Sequence, residues 1–207
     1  MLLLFDLDGV VLDTESLYYE FWHAQGKQFL PGDPDFALRI KGQSLPQIFA
    51  ENFGGDKRVE AAITRNLRIY EERMTYRYFA GVPALLATLR SRGVPTAIVT
   101  SSTRDKMARI YAAMPEFAGY FSRIFTAESV TRSKPAPDCY LHAAEAMGFA
   151  PKDCIVFEDS INGCLSGRAA GMTGVGVATT LPAEHLAPYS DTLGSTLAAF
   201  DFSPYLA

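Results

Sequence analysis

Residues 1–15 read MLLLFDLDGVVLDTE. Leu2, Leu3, Leu4 and Phe5 form an unbroken apolar run, the pattern of a strand covered on both faces of a parallel sheet. A short buried strand is therefore expected over residues 2–7. The run ends in Asp6 and Asp8, and Gly9 follows at once. Strand residues two apart share a side, so the two carboxylates repel unless a proton or a cation intervenes. Asp8-Gly9 by itself is an ordinary turn signal. Asp6 stands in apolar sequence, where an unpaired charge is costly. A hard divalent cation would resolve the conflict, and Mg²⁺ prefers such oxygens.

Beyond this stretch the texture changes. Residues 14–80 contain no convincing strand. The clearest helix there is DKRVEAAITRNLRIYEERMTYRYF, with Val59, Ile63, Leu67 and Tyr70 on one stripe and polar residues opposite. From Gly81 onward, apolar strands and helices alternate with short turns. VPTAIVTSS, FSRIFTAESV, DCIVFEDS and MTGVGVAT read as strands, and helices stand between them. That alternation specifies an α/β fold: a doubly wound, mostly parallel Rossmann-like sheet carrying a helical insert. The last thirty residues carry no motif and are expected to pack on the edge of the core.

Open parallel sheets bind ligands beyond the carboxyl ends of their strands. Polar residues gather at such places here: Asp6 and Asp8, then Thr100, Ser101 and Ser102, then Lys134 in a loop, then Glu158 and Asp159. Asp159 or Ser160 could simply cap the helix beginning near Ile161, and Lys134 alone could be a solvated loop lysine. Three or four acids from distant strands at one crevice read instead as a metal site. Lys134, directed by the prolines after it, would offset their charge and attract a phosphoryl group. Thr100 and Ser101 precede a helix N-terminus, which favours anions.

The chain has 207 residues, 19 basic and 23 acidic, for a formal charge of −4. No basic block marks a nucleic-acid binder. No apolar run approaches the ~20 residues that span a bilayer. The three cysteines, Cys139, Cys154 and Cys164, match no metal or disulfide framework. LLLF is too short for a secretion signal. These features lead to the expectation of a cytoplasmic protein without nucleic-acid or membrane partners.

The motifs DLDGVVLDTE (6–15), VTSS (99–102), KPAPD (134–138) and FEDSING (157–163) stand in the order found in the haloacid dehalogenase superfamily of phosphotransfer enzymes. The chain resembles that superfamily from residue 1 to about 178, and most resembles the subgroup holding β-phosphoglucomutase and small sugar-phosphate phosphatases. The resemblance implies a core of residues 1–13 and 81–207 and a helical cap of 14–80 that closes over the site. It implies Asp6 as nucleophile, Asp8 as general acid and then base, Thr100 as donor to the phosphoryl group, and Lys134 holding that group and Asp6. It implies Mg²⁺ held by Asp6, the Asp8 carbonyl and Asp159, with Glu158 joining directly or through water. The acid role makes a raised pKa at Asp8 plausible. The resemblance implies a small phosphorylated metabolite as partner, and a cap that moves over a core able to stand alone leads to the expectation of a monomer. Ser101, Ser102, Lys41, Gly42 and Arg39 are the candidate substrate contacts.

Two activities share this chemistry. A mutase of the subgroup carries an Arg where this chain has Leu45, and a His where it has Tyr18. Holding a second phosphate calls for a cationic clamp, which Leu45 does not supply. The reading is a Mg²⁺-dependent phosphatase of small phosphate monoesters, sugar phosphates foremost, with a β-phosphoglucomutase-type mutase as the alternative. The metal-free dehalogenases of the superfamily lack the second acid of the first motif. A non-enzymatic binding module would be favoured by loss of a core acid, and none is lost.

Overall fold

A computed structural model describes residues 1–41 and 43–205. Its six strands are β1 (Leu2–Phe5), β2 (Thr96–Val99), β3 (Arg123–Phe125), β4 (Cys154–Glu158), β5 (Thr173–Val177) and β6 (Thr192–Gly194). They form one parallel sheet in the order β3-β2-β1-β4-β5-β6. The apolar run of β1 lies at its centre, with Leu4 opposite Ala97 on one side and Val156 on the other. Alternation sends Leu3 and Phe5 to one face and Leu2 and Leu4 to the other. Both faces are covered, which is why the strand reads as continuously apolar.

Four helices make up the segment between β1 and the rest of the core: α1 (Glu15–Phe29), α2 (Phe36–Arg39), α3 (Leu45–Asn52) and α4 (Lys57–Glu71). They enclose their own apolar cluster of Phe21, Trp22, Phe36, Ile40, Ile48, Phe49 and Ile63, against which Val59, Leu67 and Tyr70 pack. The α4 stripe anticipated from sequence therefore faces inward. Asp56 caps α4 by accepting from the N–H groups of Arg58 and Val59, a contact worth about 1 kcal/mol. The two chain crossings into and out of this segment lie side by side: Asp13 N–H donates to Arg77 O at 2.9 Å and Phe79 N–H to Val11 O at 3.3 Å.

The remaining helices are α5 (Val82–Ser91), α6 (Arg104–Ala113), α7 (Asp138–Met147), α8 (Ile161–Ala169) and α9 (Ala183–Leu186). Val82, Leu86 and Leu89 of α5 join Met107 and Ile110 of α6 on one sheet face. Tyr140, Ala143 and Ala144 of α7 cover the other. The C-terminal stretch departs from expectation in two ways. It adds a sixth strand, β6, too short and too mixed in character to show periodicity. It also returns Phe202 to the core, stacked on Phe157 at 5.4 Å.

Candidate active site

In this strand order the chain leaves β1 and β4 toward opposite edges of the sheet. Their carboxyl ends therefore flank the crevice where α/β sheets bind ligands. Asp6 follows β1, Glu158 ends β4, and Asp159 comes next. All three are buried, and each offers a carboxylate oxygen within 4.8 Å of the others. Lys134 reaches the same point, its Nζ 2.5 Å from Asp6 Oδ1 and 2.5 Å from Glu158 Oε1, while donating to Val99 O at 3.0 Å. Tyr140 Oη donates to Glu158 Oε1 at 2.6 Å.

Burial pushes the Asp6 carboxyl up to about 8, against the pull of Lys134 and with the push of Glu158. Asp159 is driven well above the carboxylate range by burial and then by Glu15, Asp6 and Glu158. One ammonium thus leaves three crowded carboxylates undercompensated. The donor set is all oxygen, so Asp6, Glu158 and Asp159 could hold a hard divalent cation. Two glycines make room for the carboxylates of that set. Gly9 has φ +81°, and a Cβ there would lie 2.0 Å from Asp159 Oδ2. A Cβ on Gly163 would lie 1.9 Å from the Glu158 carboxylate. Ser160, not Asp159, caps α8 by accepting from Gly163 N–H at 3.0 Å, which leaves the Asp159 carboxylate at the cluster.

The Asp8 side chain goes elsewhere. Lys106 Nζ donates to its Oδ1 at 2.7 Å and its Oδ2 at 2.6 Å. Ser102 Oγ donates to Oδ2 at 2.8 Å, and Thr14 Oγ1 donates to Oδ1 instead of capping α1. Burial pushes Asp8 up, but Lys106 and these hydrogen bonds outweigh it and leave the carboxyl below its ordinary value. The raised pKa anticipated from the acid role is corrected: an ammonium on the carboxylate favours the charged form. Thr100 is buried, its hydroxyl accepting from Ser102 N–H at 3.0 Å.

Sequence reasoning missed Lys106. One signal was available. Thr103 caps α6, so Lys106 sits in its first turn, where the helix dipole disfavours a cation. A lysine there needs a partner.

Between the helical segment and the sheet lies a cleft of about 330 Å³. Asp6, Asp8, Thr100, Ser101, Ser102 and Asp159 line its floor, and Tyr18, Trp22, Lys41, Leu45, Ile48 and Glu71 its far wall. Lys41 is paired with Glu15 at 3.2 Å. Gly42 falls outside the described residues. Arg39 does not reach the cleft. It is surface-exposed and paired with Asp33, because α2 turns Phe36 and Ala37 inward. A wider open groove of about 740 Å³, lined in part by Thr64, Arg65 and Ile69 of α4, contains none of the strand-end acids. The three cysteines are buried and free, and no helix among the described residues is long and apolar enough to cross a membrane.

A family model of haloacid dehalogenase-like hydrolases matches residues 1–171. The chain belongs to that family. As a haloacid dehalogenase-like hydrolase it is 35% identical over 179 residues to hexitol phosphatase A of Escherichia coli (strain K12), covering 81% of this chain and 78% of the relative. It is 28% identical over 195 residues to beta-phosphoglucomutase of Bacillus subtilis (strain 168), covering 86% and 84%. Among solved structures, a hydrolase from Pseudomonas syringae superposes with TM-score 0.84 at 23% identity, covering 95% of this chain and 94% of that one. That likeness shows the fold. The family is one of enzymes, and this chain retains an acidic cluster at the crevice its fold provides.

Proposed function

We propose that this hydrolase is a Mg²⁺-dependent phosphatase of small phosphate monoesters, sugar phosphates foremost, working through an aspartyl-phosphate on Asp6. The observation that carries the reading is the convergence of Asp6, Lys134, Glu158 and Asp159. In this reading residues 14–80 are a cap over a core of 1–13 and 81–207. The relatives named above act on phosphorylated polyols or sugars by their names, which favours the same substrate class here.

The Asp6 carboxylate attacks phosphorus, and the bond from phosphorus to the ester oxygen breaks. Asp8, having first gained a proton, passes it to the departing alkoxide. Water then attacks the phosphorus of the aspartyl-phosphate, Asp8 takes the proton, and inorganic phosphate leaves with Asp6 regenerated. Lys134 neutralises charge on the phosphoryl oxygens, and Thr100 and Ser101 donate to them. Asp6, the Asp8 carbonyl, Glu158 and Asp159 would hold Mg²⁺, which when bound supplies charge neutralisation at the transferred group.

The mutase alternative needs a cation free to clamp a second phosphate. Among the described residues lining the cleft, Lys41, Arg68, Lys106 and Arg109 are the cations, and each already faces a carboxylate. Leu45 lines the cleft where the mutase carries its Arg. Hydrolysis is therefore favoured. A screen of phosphorylated metabolites with and without Mg²⁺, ranked by kcat/KM, tests the proposal. Metal-dependent release of inorganic phosphate is the expected result. Conversion of β-glucose 1-phosphate to the 6-phosphate with trace bisphosphate, without net phosphate release, would reverse the order of the two readings.

A further inference from the structure

We propose that Lys106 is a positioning residue for Asp8, steadied in that role by the helical segment through Tyr18. The inference rests on the acid–base role read above for Asp8.

Two features of Lys106 call for an explanation. It is only 3% exposed, and it occupies the first turn of α6, where neither solvation nor the helix dipole favours a cation. Helix stability therefore does not account for it. Its ammonium sits almost evenly between the two Asp8 oxygens, at 2.7 and 2.6 Å. Thr14 adds a second donor to Oδ1 and Ser102 a second donor to Oδ2. Asp8 cannot turn about its side-chain bonds without breaking several charge-assisted contacts, so its carboxylate plane is held toward the cleft.

The other side of the ammonium is covered by the ring of Tyr18, with Nζ 4.2 Å from the ring centroid. Tyr18 belongs to α1, on the far side of the cleft. Its hydroxyl donates to Glu71 Oε1 at 2.9 Å, at the end of α4. Glu71 Oε2 in turn accepts from Arg109, which stands one helical turn after Lys106 on α6. The contacts thus close a circuit from α6 through Tyr18 and Glu71 back to α6. The ring excludes water from the Lys106–Asp8 pair. At lower effective dielectric that pair is several times stronger than in water, so moving the ring away loosens Asp8.

The test uses 4-nitrophenyl phosphate with Mg²⁺, because an activated aryl leaving group needs little acid help in the first transfer. Acid-quenched samples are analysed by intact mass for covalent phosphoenzyme, alongside steady-state kcat and KM. In Lys106→Met, kcat should fall at least about tenfold, and the trapped phosphoenzyme fraction should rise, because Asp8 no longer presents itself squarely to the attacking water. Lys106→Arg should recover part of both. Tyr18→Leu, which spares Lys106 and Asp8, should move both readouts the same way by less, and it keeps the inference testable should Lys106→Met fold poorly. Lower kcat without a rise in phosphoenzyme marks a merely structural residue and overturns the proposal, as does an unchanged Lys106→Met. Asp8→Asn is the control for the underlying reading. If it leaves kcat and the phosphoenzyme fraction unchanged, the acid–base assignment itself fails, whatever Lys106 does.

Discussion

Asp6 and Lys134, 128 residues apart in the chain, meet with Nζ 2.5 Å from Oδ1 at the carboxyl end of the central strand. Both are buried. Burial alone would discharge each of them. Lys134 is held charged well above its ordinary range despite burial, by Asp6 and then Glu158, while burial keeps the Asp6 carboxyl raised to about 8. The pair brings a cation and the proposed nucleophile to one point before substrate arrives, and Glu158 stands beside Lys134 as its second carboxylate.

Asp6→Asn tests that arrangement directly. The amide cannot form an acyl-phosphate, so kcat should drop at least about a thousandfold. Lys134 keeps Glu158 as a partner, and one member of a crowded carboxylate cluster is gone. The metal-free variant should therefore melt no lower than the parent. Phosphate release and thermal melting in chelator measure the two effects. Near-parent turnover would end the covalent mechanism.

Metal dependence should follow the same cluster. Chelator should abolish turnover, and added Mg²⁺ should raise the melting temperature by mass action on the folded state. In Asp159→Asn the Mg²⁺ concentration for half-maximal activity should rise at least about tenfold. A variant with the parent's metal titration would remove Asp159 from the metal site.

Gly9→Ala combines a left-handed backbone, φ +81°, with a Cβ 2.0 Å from Asp159 Oδ2. The backbone strain alone costs about 2 kcal/mol. The clash displaces a carboxylate of the acidic cluster. Lower urea midpoint and weaker Mg²⁺ activation should appear together. Loss of stability with an unchanged metal titration would mean that Asp159 has somewhere else to go.

Lys41 and Arg39 should separate cleanly. Lys41 lines the cleft beside Glu15, so Lys41→Ala should raise KM about tenfold for the preferred substrate. Arg39 lies on the surface against Asp33, so Arg39→Ala should change kcat/KM by less than about twofold. Equal effects on KM would contradict the orientation of α2.

The cysteines should be inert in the folded protein. Burial, then Asp153, pushes the Cys154 thiol up to about 11, and burial, then Glu158, pushes Cys164 up to about 12. The thiolate is the reactive form, so iodoacetamide at about pH 8 should leave the native chain unmodified and label all three cysteines in denaturant. Rapid labelling of either residue in the native protein would contradict its burial.

The acids at the ends of β1 and β4, the strands themselves and the α4 stripe were legible in sequence, because each is a local pattern of polarity that a strand or helix converts directly into a face. β6 was not, since Thr192–Gly194 is a strand by virtue of the β5 edge it pairs with rather than its own residues. The direction of Arg39 was not legible either, because a charge beside an inward-turning helix gives no sign of which way it leaves. Lys106 carried a faint signal, a cation in a helix's first turn, but its partner lies 98 residues away.

The order of apolar runs and the chemical types at their ends determined the fold class and the members of the acidic cluster, because strand periodicity and burial act on neighbours in the chain. Only the tertiary structure decided that Lys134 also takes Glu158, that Lys106 takes Asp8, and that Tyr18 covers Lys106. Those are distances between groups on different elements, and they are set by how the helices pack on the sheet, which no local pattern encodes.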